Sequence, residues 1–329
     1  MSEAGDYDPG DWGGHDFKSA AHSYDKVISR SYDDAVASGK DLKDVLPEFL
    51  ETQSTCPLII VTDETGSMGE WPKIMFSKLP YLAHEAKTEY LGEDCEICFA
   101  AFGDARNNEN YPLQVQPFAK ANKKLKEILE KLIIEGNGGG QLHETSELAA
   151  LYFVHNVSMP KAKKPILIFI TDEHPYDEIS AAMAKKFTYG RADKKFSDKQ
   201  IFDLLKEKYS VYLIRKPYHT DSGDSMSHDD LEIYRHWVKL LGEDHIASLP
   251  GPERVVDVIF GILAKEAGMI EYFREEIEDR QKPGQVATVY KSLASIHNVG
   301  GTDSKKLIGR RSSMHKKPST VTKKSKPLA

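Results

Sequence analysis

Asp63, Thr65 and Ser67 lie at alternate positions in Asp63-Glu64-Thr65-Gly66-Ser67, directly after the apolar run Leu58-Ile59-Ile60-Val61. A carboxylate and two hydroxyls at that spacing are hard oxygen donors, the set that suits Mg²⁺, Mn²⁺ or Ca²⁺. A second carboxylate ends another apolar run, at Ile170-Thr171-Asp172-Glu173. A third, Asp104, closes Phe99-Ala100-Ala101-Phe102-Gly103. The same hydroxyls can instead cap the helix that follows and satisfy its free N–H groups.

Strands must deliver these groups to one place. Continuous apolar runs over 57–63, 96–104, 165–172, 210–216 and 245–249 predict strands buried on both faces. Helical spacing predicts helices over 73–90 (kinked or delayed by Pro80), 122–134, 144–157, 199–208, 229–241 and 252–267. The alternation predicts an α/β fold, Rossmann-like and doubly wound, with a mainly parallel central sheet and helices on both faces. Ligands of such sheets sit outside the carboxyl ends of the strands, where the strand order reverses. Asp63, Asp104 and Asp172 all fall at such ends.

These loops resemble the metal-ion-dependent adhesion site (MIDAS) of von Willebrand factor type A (vWA) domains, in the intracellular, bacterial-type variety. The resemblance spans residues 55–267. It implies that Thr65 and Ser67 ligate a Mg²⁺, Mn²⁺ or Ca²⁺ ion, with Asp63 and Asp172 at close range or through water. The adhesion-type pattern has a threonine before the helix of the second loop. In Gly138-Gly139-Gly140-Gln141-Leu142-His143-Glu144-Thr145 that place falls to Glu144, with Thr145 beside it. A third carboxylate takes the local charge beside a divalent ion to about −1. The expectation is that Glu144 fills or crowds the open coordination position and turns the site toward neutral or basic partners. Asp104, His143 and Glu173 are expected around the ligands.

The resemblance further implies a non-enzymatic protein-binding module, an adaptor or scaffold in a larger complex or signalling system. Inserts over 174–199 and 216–229 carry Tyr176, Phe187, Tyr189 and Tyr218, aromatic content of the kind interfaces favour. A Mg²⁺-dependent hydrolase is disfavoured. Aspartate-nucleophile phosphotransferases need Asp-x-Asp, and here Thr65 takes the second place. The glycine run lacks the Gly-Lys-Ser/Thr of a phosphate loop.

Composition sets the frame. The 329 residues carry a net charge of −7 and three cysteines, and no apolar run reaches the roughly 18 residues of a membrane span. The acidic start of the chain lacks a secretory pattern, and so few cysteines predict a reducing compartment, the cytoplasm. Cys95 and Cys98, three apart, are expected on opposite faces of a strand. The organisation reads as an N-terminal extension with short helices (1–54), the α/β domain (55–267), a helical extension (268–299) and a disordered tail (300–329). Nine Lys and Arg follow Asp303 with no acid among them, so the tail is where nucleic acid can bind if it binds at all. Oligomeric state is left open.

Overall fold

The computed structural model describes residues 31–107, 109–120, 122–134, 142–219 and 226–297. The first 30 residues of the N-terminal extension, the glycine loop at 136–140 and the basic tail lie outside the described residues.

Six strands form the central sheet: β1 (Leu58–Asp63), β2 (Ile97–Phe102), β3 (Leu113–Val115), β4 (Ile166–Thr171), β5 (Ser210–Arg215) and β6 (Ile246–Ser248). Their spatial order is β3-β2-β1-β4-β5-β6, with β3 antiparallel to β2 and the other pairings parallel. Every residue of β1, β2 and β4 is buried. That explains why these strands read as unbroken apolar runs rather than alternations. The strand β3 was not anticipated: the polar Gln114 at its centre breaks the apolar run by which the other strands are seen in the sequence.

The helices are α1 (Trp71–Glu85), α2 (Asn122–Leu129), α3 (Ser146–His155), α4 (Ala181–Phe187), α5 (Asp198–Lys208), α6 (His228–Leu241), α7 (Val255–Ala267), α8 (Ile270–Arg280) and α9 (Pro283–Ser292). Side chains alternate across β1. Leu58 and Ile60 join a core with Met75 and Leu79 of α1, Leu125 of α2 and Ile259 of α7. Ile59 and Val61 join the opposite core with Leu151 of α3, Phe202 of α5 and Trp237 of α6. The sheet is thus covered by helices on both faces, a mixed α/β architecture compatible with a Rossmann-like fold. Phe273, Ile277, Val289 and Leu293 of the C-terminal stretch belong to the first core, so α8 and α9 complete a layer of the sheet domain. On the other side, Leu46 and Leu50 of the N-terminal segment belong to the second core. Two short helices there, Ser31–Ala37 and Leu42–Val45, lead to a small parallel pairing of Leu50–Glu51 with Val157–Ser158.

Two expectations are revised. Pro80 neither delays nor interrupts α1, which starts at Trp71 with Pro72 in its first turn, where a missing N–H costs nothing, and then widens into π-type turns over Ala86–Leu91. The helix expected over 122–134 ends at Leu129, and the Gln114 side chain closes the segment beyond it by accepting from the Ile133 N–H at 2.8 Å and donating to its carbonyl at 2.6 Å. Cys95 and Cys98 do enter opposite cores. Among the described residues no helix is long and apolar enough to cross a membrane.

Candidate metal centre

The strand order reverses between β1 and β4, so Asp63 and Asp172 meet at the crevice where doubly wound sheets take ligands. Both are fully buried. Asp63 Oδ1 accepts from the Thr65 N–H at 2.9 Å and the Thr65 hydroxyl at 2.6 Å; Oδ2 accepts from the Thr171 hydroxyl at 2.7 Å. Thr65 Oγ1 lies 3.0 Å from Ser67 Oγ, which donates to Asp172 Oδ1 at 2.9 Å. The two hydroxyls, each donating to its own carboxylate, face each other at 3.0 Å and join the four residues into one polar cluster.

The alternative role for these hydroxyls is not used. Thr65 stands at the N-cap of the 3₁₀ turn Gly66–Met68 and makes no side-chain cap bond, and neither does Glu70 at the head of α1.

The second loop reaches the crevice through a short parallel bridge between His143 and His174, in which Glu144 N–H donates to His174 O and His174 N–H to Leu142 O, each at 3.1 Å. Side chains alternate along extended backbone, which separates His143 and His174 from Glu144 and Glu173. The two histidine rings meet edge to face, with centroids 4.1 Å apart. Glu144 and Glu173 instead join the field of Asp63. Burial pushes the Glu144 carboxyl strongly up, and the charges of Asp63 and Glu173 add to this. Burial likewise raises Glu173, followed by the charges of Asp63 and Asp172. Asp63 itself is raised by burial and by Asp172, against the hydrogen bonds it accepts. Glu64, also buried, is pushed up to about 8, mainly by desolvation, although the Thr62 hydroxyl donates to it at 2.7 Å. Glu144 Oε2, both carboxyl oxygens of Glu173 and Glu64 Oε2 are buried and accept no hydrogen bond from an N–H or hydroxyl, although Glu144 and Glu173 lie close enough to share a proton between them. Buried polar atoms are rarely left this way, and orphaned carboxylate oxygens crowded together are what a cation satisfies.

Thr145 is oriented differently from the resemblance. Its hydroxyl donates to Gly103 O at 2.6 Å and accepts from the Ala105 N–H at 3.1 Å, so it ties α3 to the Asp104 loop. Asp104 is held in turn by the Tyr176 hydroxyl at 2.9 Å, while the Arg106 guanidinium lies 3.8 Å over the Tyr176 ring and His143 stacks on that ring at 4.9 Å. Tyr218 sits where the charges of Glu173 and Asp172 act on its phenol. Tyr189 lies elsewhere. Its hydroxyl donates to Leu46 O near the Asn156 end of α3, away from the Ser146 end where the carboxylates gather. Phe187 is buried in the second core.

Sequence reasoning missed Lys216, the residue after β5, whose Nζ pairs with Asp172 Oδ2 at 2.6 Å. It also missed Glu64 and the fully buried Glu147, which accepts from the Tyr176 N–H at 3.3 Å. A signal existed for Lys216: a basic residue just past a strand's carboxyl end, where three other strands place Asp63, Asp104 and Asp172.

No protein-family model matches the chain, and no curated protein matches it. Among solved structures, proximal thread matrix protein 1 from the mussel byssus is similar at 12% identity and a TM-score of 0.43, over 65% of this chain and 48% of that one. The pilus adhesin SpaC from Lactobacillus rhamnosus GG, in its open conformation, is similar at 12% identity and a TM-score of 0.46, over 67% of this chain and 31% of that one. The chain spans less than half the length of these structures, and likeness of this size says nothing about what it binds.

Proposed function

We propose that this chain is a vWA-type binding module in which a divalent cation at the β1/β4 crevice completes a protein-recognition surface. The observation that carries the reading is the polar cluster of Asp63, Thr65, Ser67 and Asp172, whose hydroxyls are spent on two buried carboxylates and not on helix capping. The orphaned oxygens of Glu144 and Glu173 add to it.

In this reading Thr65 and Ser67 supply hydroxyl ligands, Glu144 a carboxylate, and Asp63 and Asp172 act directly or through water. An all-oxygen set of this kind fits Mg²⁺ or Mn²⁺. With Glu144 and Glu173 beside the ion, the site is rich in negative charge, and it favours a neutral or basic partner group. Arg106, His143, Tyr176 and Tyr218 form the surrounding contact surface, where aromatic and arginine side chains contribute strongly to binding. The ion's part is to neutralise the carboxylates and hold the three loops in one arrangement.

The test is calorimetric titration of the chelator-stripped chain with Mg²⁺ and Mn²⁺, beside Asp63→Ala, followed by partner capture with and without chelator. The reading requires saturable binding that Asp63→Ala reduces at least about a hundredfold, and partners released by chelation. Binding that survives Asp63→Ala, or partners indifferent to chelation, would sink it.

A further inference from the structure

A second group of ligand-type side chains stands on the other side of the His143–His174 bridge. Asp177, Asp198 and His236 each offer a ligand atom, and these atoms lie within 4.8 Å of one another. Three separate elements bring them together. Asp177 and Asp198 flank the antiparallel pairing of Glu178–Ile179 with Phe196–Ser197, and the Asp198 N–H donates to Asp177 O at 2.9 Å. That register sets two carboxylates across from each other, an arrangement that costs stability unless a cation intervenes. His236 reaches in from α6, its Nε2 2.8 Å from Asp198 Oδ2.

A second unsatisfied group borders this cluster. His174 is 3% exposed, and its ring stacks on that of His236 with centroids 4.4 Å apart and planes at 14°. Its Nδ1 lies 2.9 Å from Pro175 O, a contact only an N–H can make favourably, which leaves Nε2 as a bare lone pair. That nitrogen is buried and has no hydrogen-bond partner. An imidazole whose other nitrogen donates to a backbone carbonyl is the usual preparation of a metal-binding histidine.

We propose that Asp177, Asp198 and His236 form a binding site for a divalent transition-metal ion of the Zn²⁺ class, with water completing the shell and the His174 ring packed against that of His236. Mixed imidazole and carboxylate donors suit such ions, whereas the β1/β4 crevice offers oxygen alone. Bonds of about 2.1 Å in a tetrahedron place ligand atoms roughly 3.4 Å apart, so the group needs only a modest contraction. An ion here ties the 174–198 insert to α6, bracing the rim that carries Tyr176.

The experiment uses the full chain, stripped with chelator and titrated with Zn²⁺ alone by calorimetry and with Co²⁺ by visible absorption. Asp177→Asn changes an exposed side chain, and circular dichroism checks its fold and that of His236→Gln. The expected result is one Zn²⁺ bound equally well by the unmodified chain and by Asp63→Ala, with affinity at least tenfold weaker in Asp177→Asn and His236→Gln. Co²⁺ should show d–d bands that His236→Gln alters. Zn²⁺ affinity unchanged in both folded variants, or Zn²⁺ uptake lost with Asp63→Ala instead, overturns the proposal. Neither result depends on whether Mg²⁺ binds at Asp63.

Discussion

Lys216 Nζ and Asp172 Oδ2 are 2.6 Å apart, the lysine side chain 16% exposed and the aspartate fully buried. The pairing follows from sheet register. Thr171 lies opposite Arg215 where β4 and β5 run side by side, so the next residue of each strand meets its neighbour just past the sheet edge. The ammonium is a tethered counter-ion for a carboxylate that the proposed metal also needs. Lys216→Met is therefore expected to have opposite effects on two measurements. In chelator it should destabilise the chain by about 3 kcal/mol in urea unfolding, because a buried carboxylate loses its charge partner. In calorimetry it should raise Mg²⁺ or Mn²⁺ affinity at least about tenfold, since a like charge beside the ion is removed. Affinity that falls in this variant would mean that the lysine positions Asp172 for the metal instead of competing with it.

Glu144→Gln separates metal binding from stability in a similar way. The carboxyl is held far above its usual range by burial and by neighbouring acids. Its removal should stabilise the chelated chain at pH 8, by roughly 1–2 kcal/mol on the scale of a relieved buried polar group. It should also weaken divalent-cation binding by about tenfold. Thermal unfolding at fixed chelator, with calorimetry alongside, decides both points. A variant that binds metal as tightly as the parent would remove Glu144 from the ligand set.

The buried carboxyls set the pH dependence. Asp63, Glu64, Glu144 and Glu173 are all raised, chiefly by burial. A raised folded pKa means that the native chain holds protons the unfolded chain has already released, so stability falls as pH rises across that window. For Glu64 the window runs from 4.5 to about 8. In chelator the melting temperature should be higher at pH 6 than at pH 8, a domain of this size moving by about 2–4 °C per kcal/mol. Mg²⁺ should raise it more at pH 8 than at pH 6, because Asp63, pushed up to about 7, gives up its proton between the two. A melting temperature that climbs with pH in chelator would show that these carboxyls are already neutralised by other means.

Gly261 tests whether the C-terminal helices belong to the sheet domain. A methyl group there would meet Leu293 Cδ1 at 2.1 Å, and Leu293 is fully buried. His297 Nε2 lies 2.9 Å from Gly261 O, so the chain after α9 lies directly against α7. Gly261→Ala should cost about 1–3 kcal/mol by overpacking, in a single transition followed by both circular dichroism and tryptophan fluorescence. A separate early transition, leaving the sheet intact, would mark α8 and α9 as an independent unit.

Five of the six strands were legible because burial on both faces demands unbroken apolar runs, and three of those runs stopped at Asp63, Asp104 and Asp172. Asp63, Thr65, Ser67 and Asp172 could be picked out from the residue types and their positions at strand ends. Cys95 and Cys98 did go to opposite cores, although only Cys98 lies in β2 and Cys95 precedes it, so strand alternation alone did not decide this. What the sequence by itself determined is therefore the sheet, its helical cover and the acidic strand ends. Only the tertiary structure decided which groups meet. The pairing of β4 with β5 brought Lys216 to Asp172, across 44 residues of chain. The fold of the second loop spent Thr145 on the Gly103 carbonyl and turned Glu144 toward Asp63. The 178–197 register and the docking of α6 gathered Asp177, Asp198 and His236, while Tyr189 went to Leu46. The reason is physical: hydrophobic periodicity is local and non-directional, whereas ion pairs and ligand clusters depend on distances set by long-range register, which no spacing along the chain encodes.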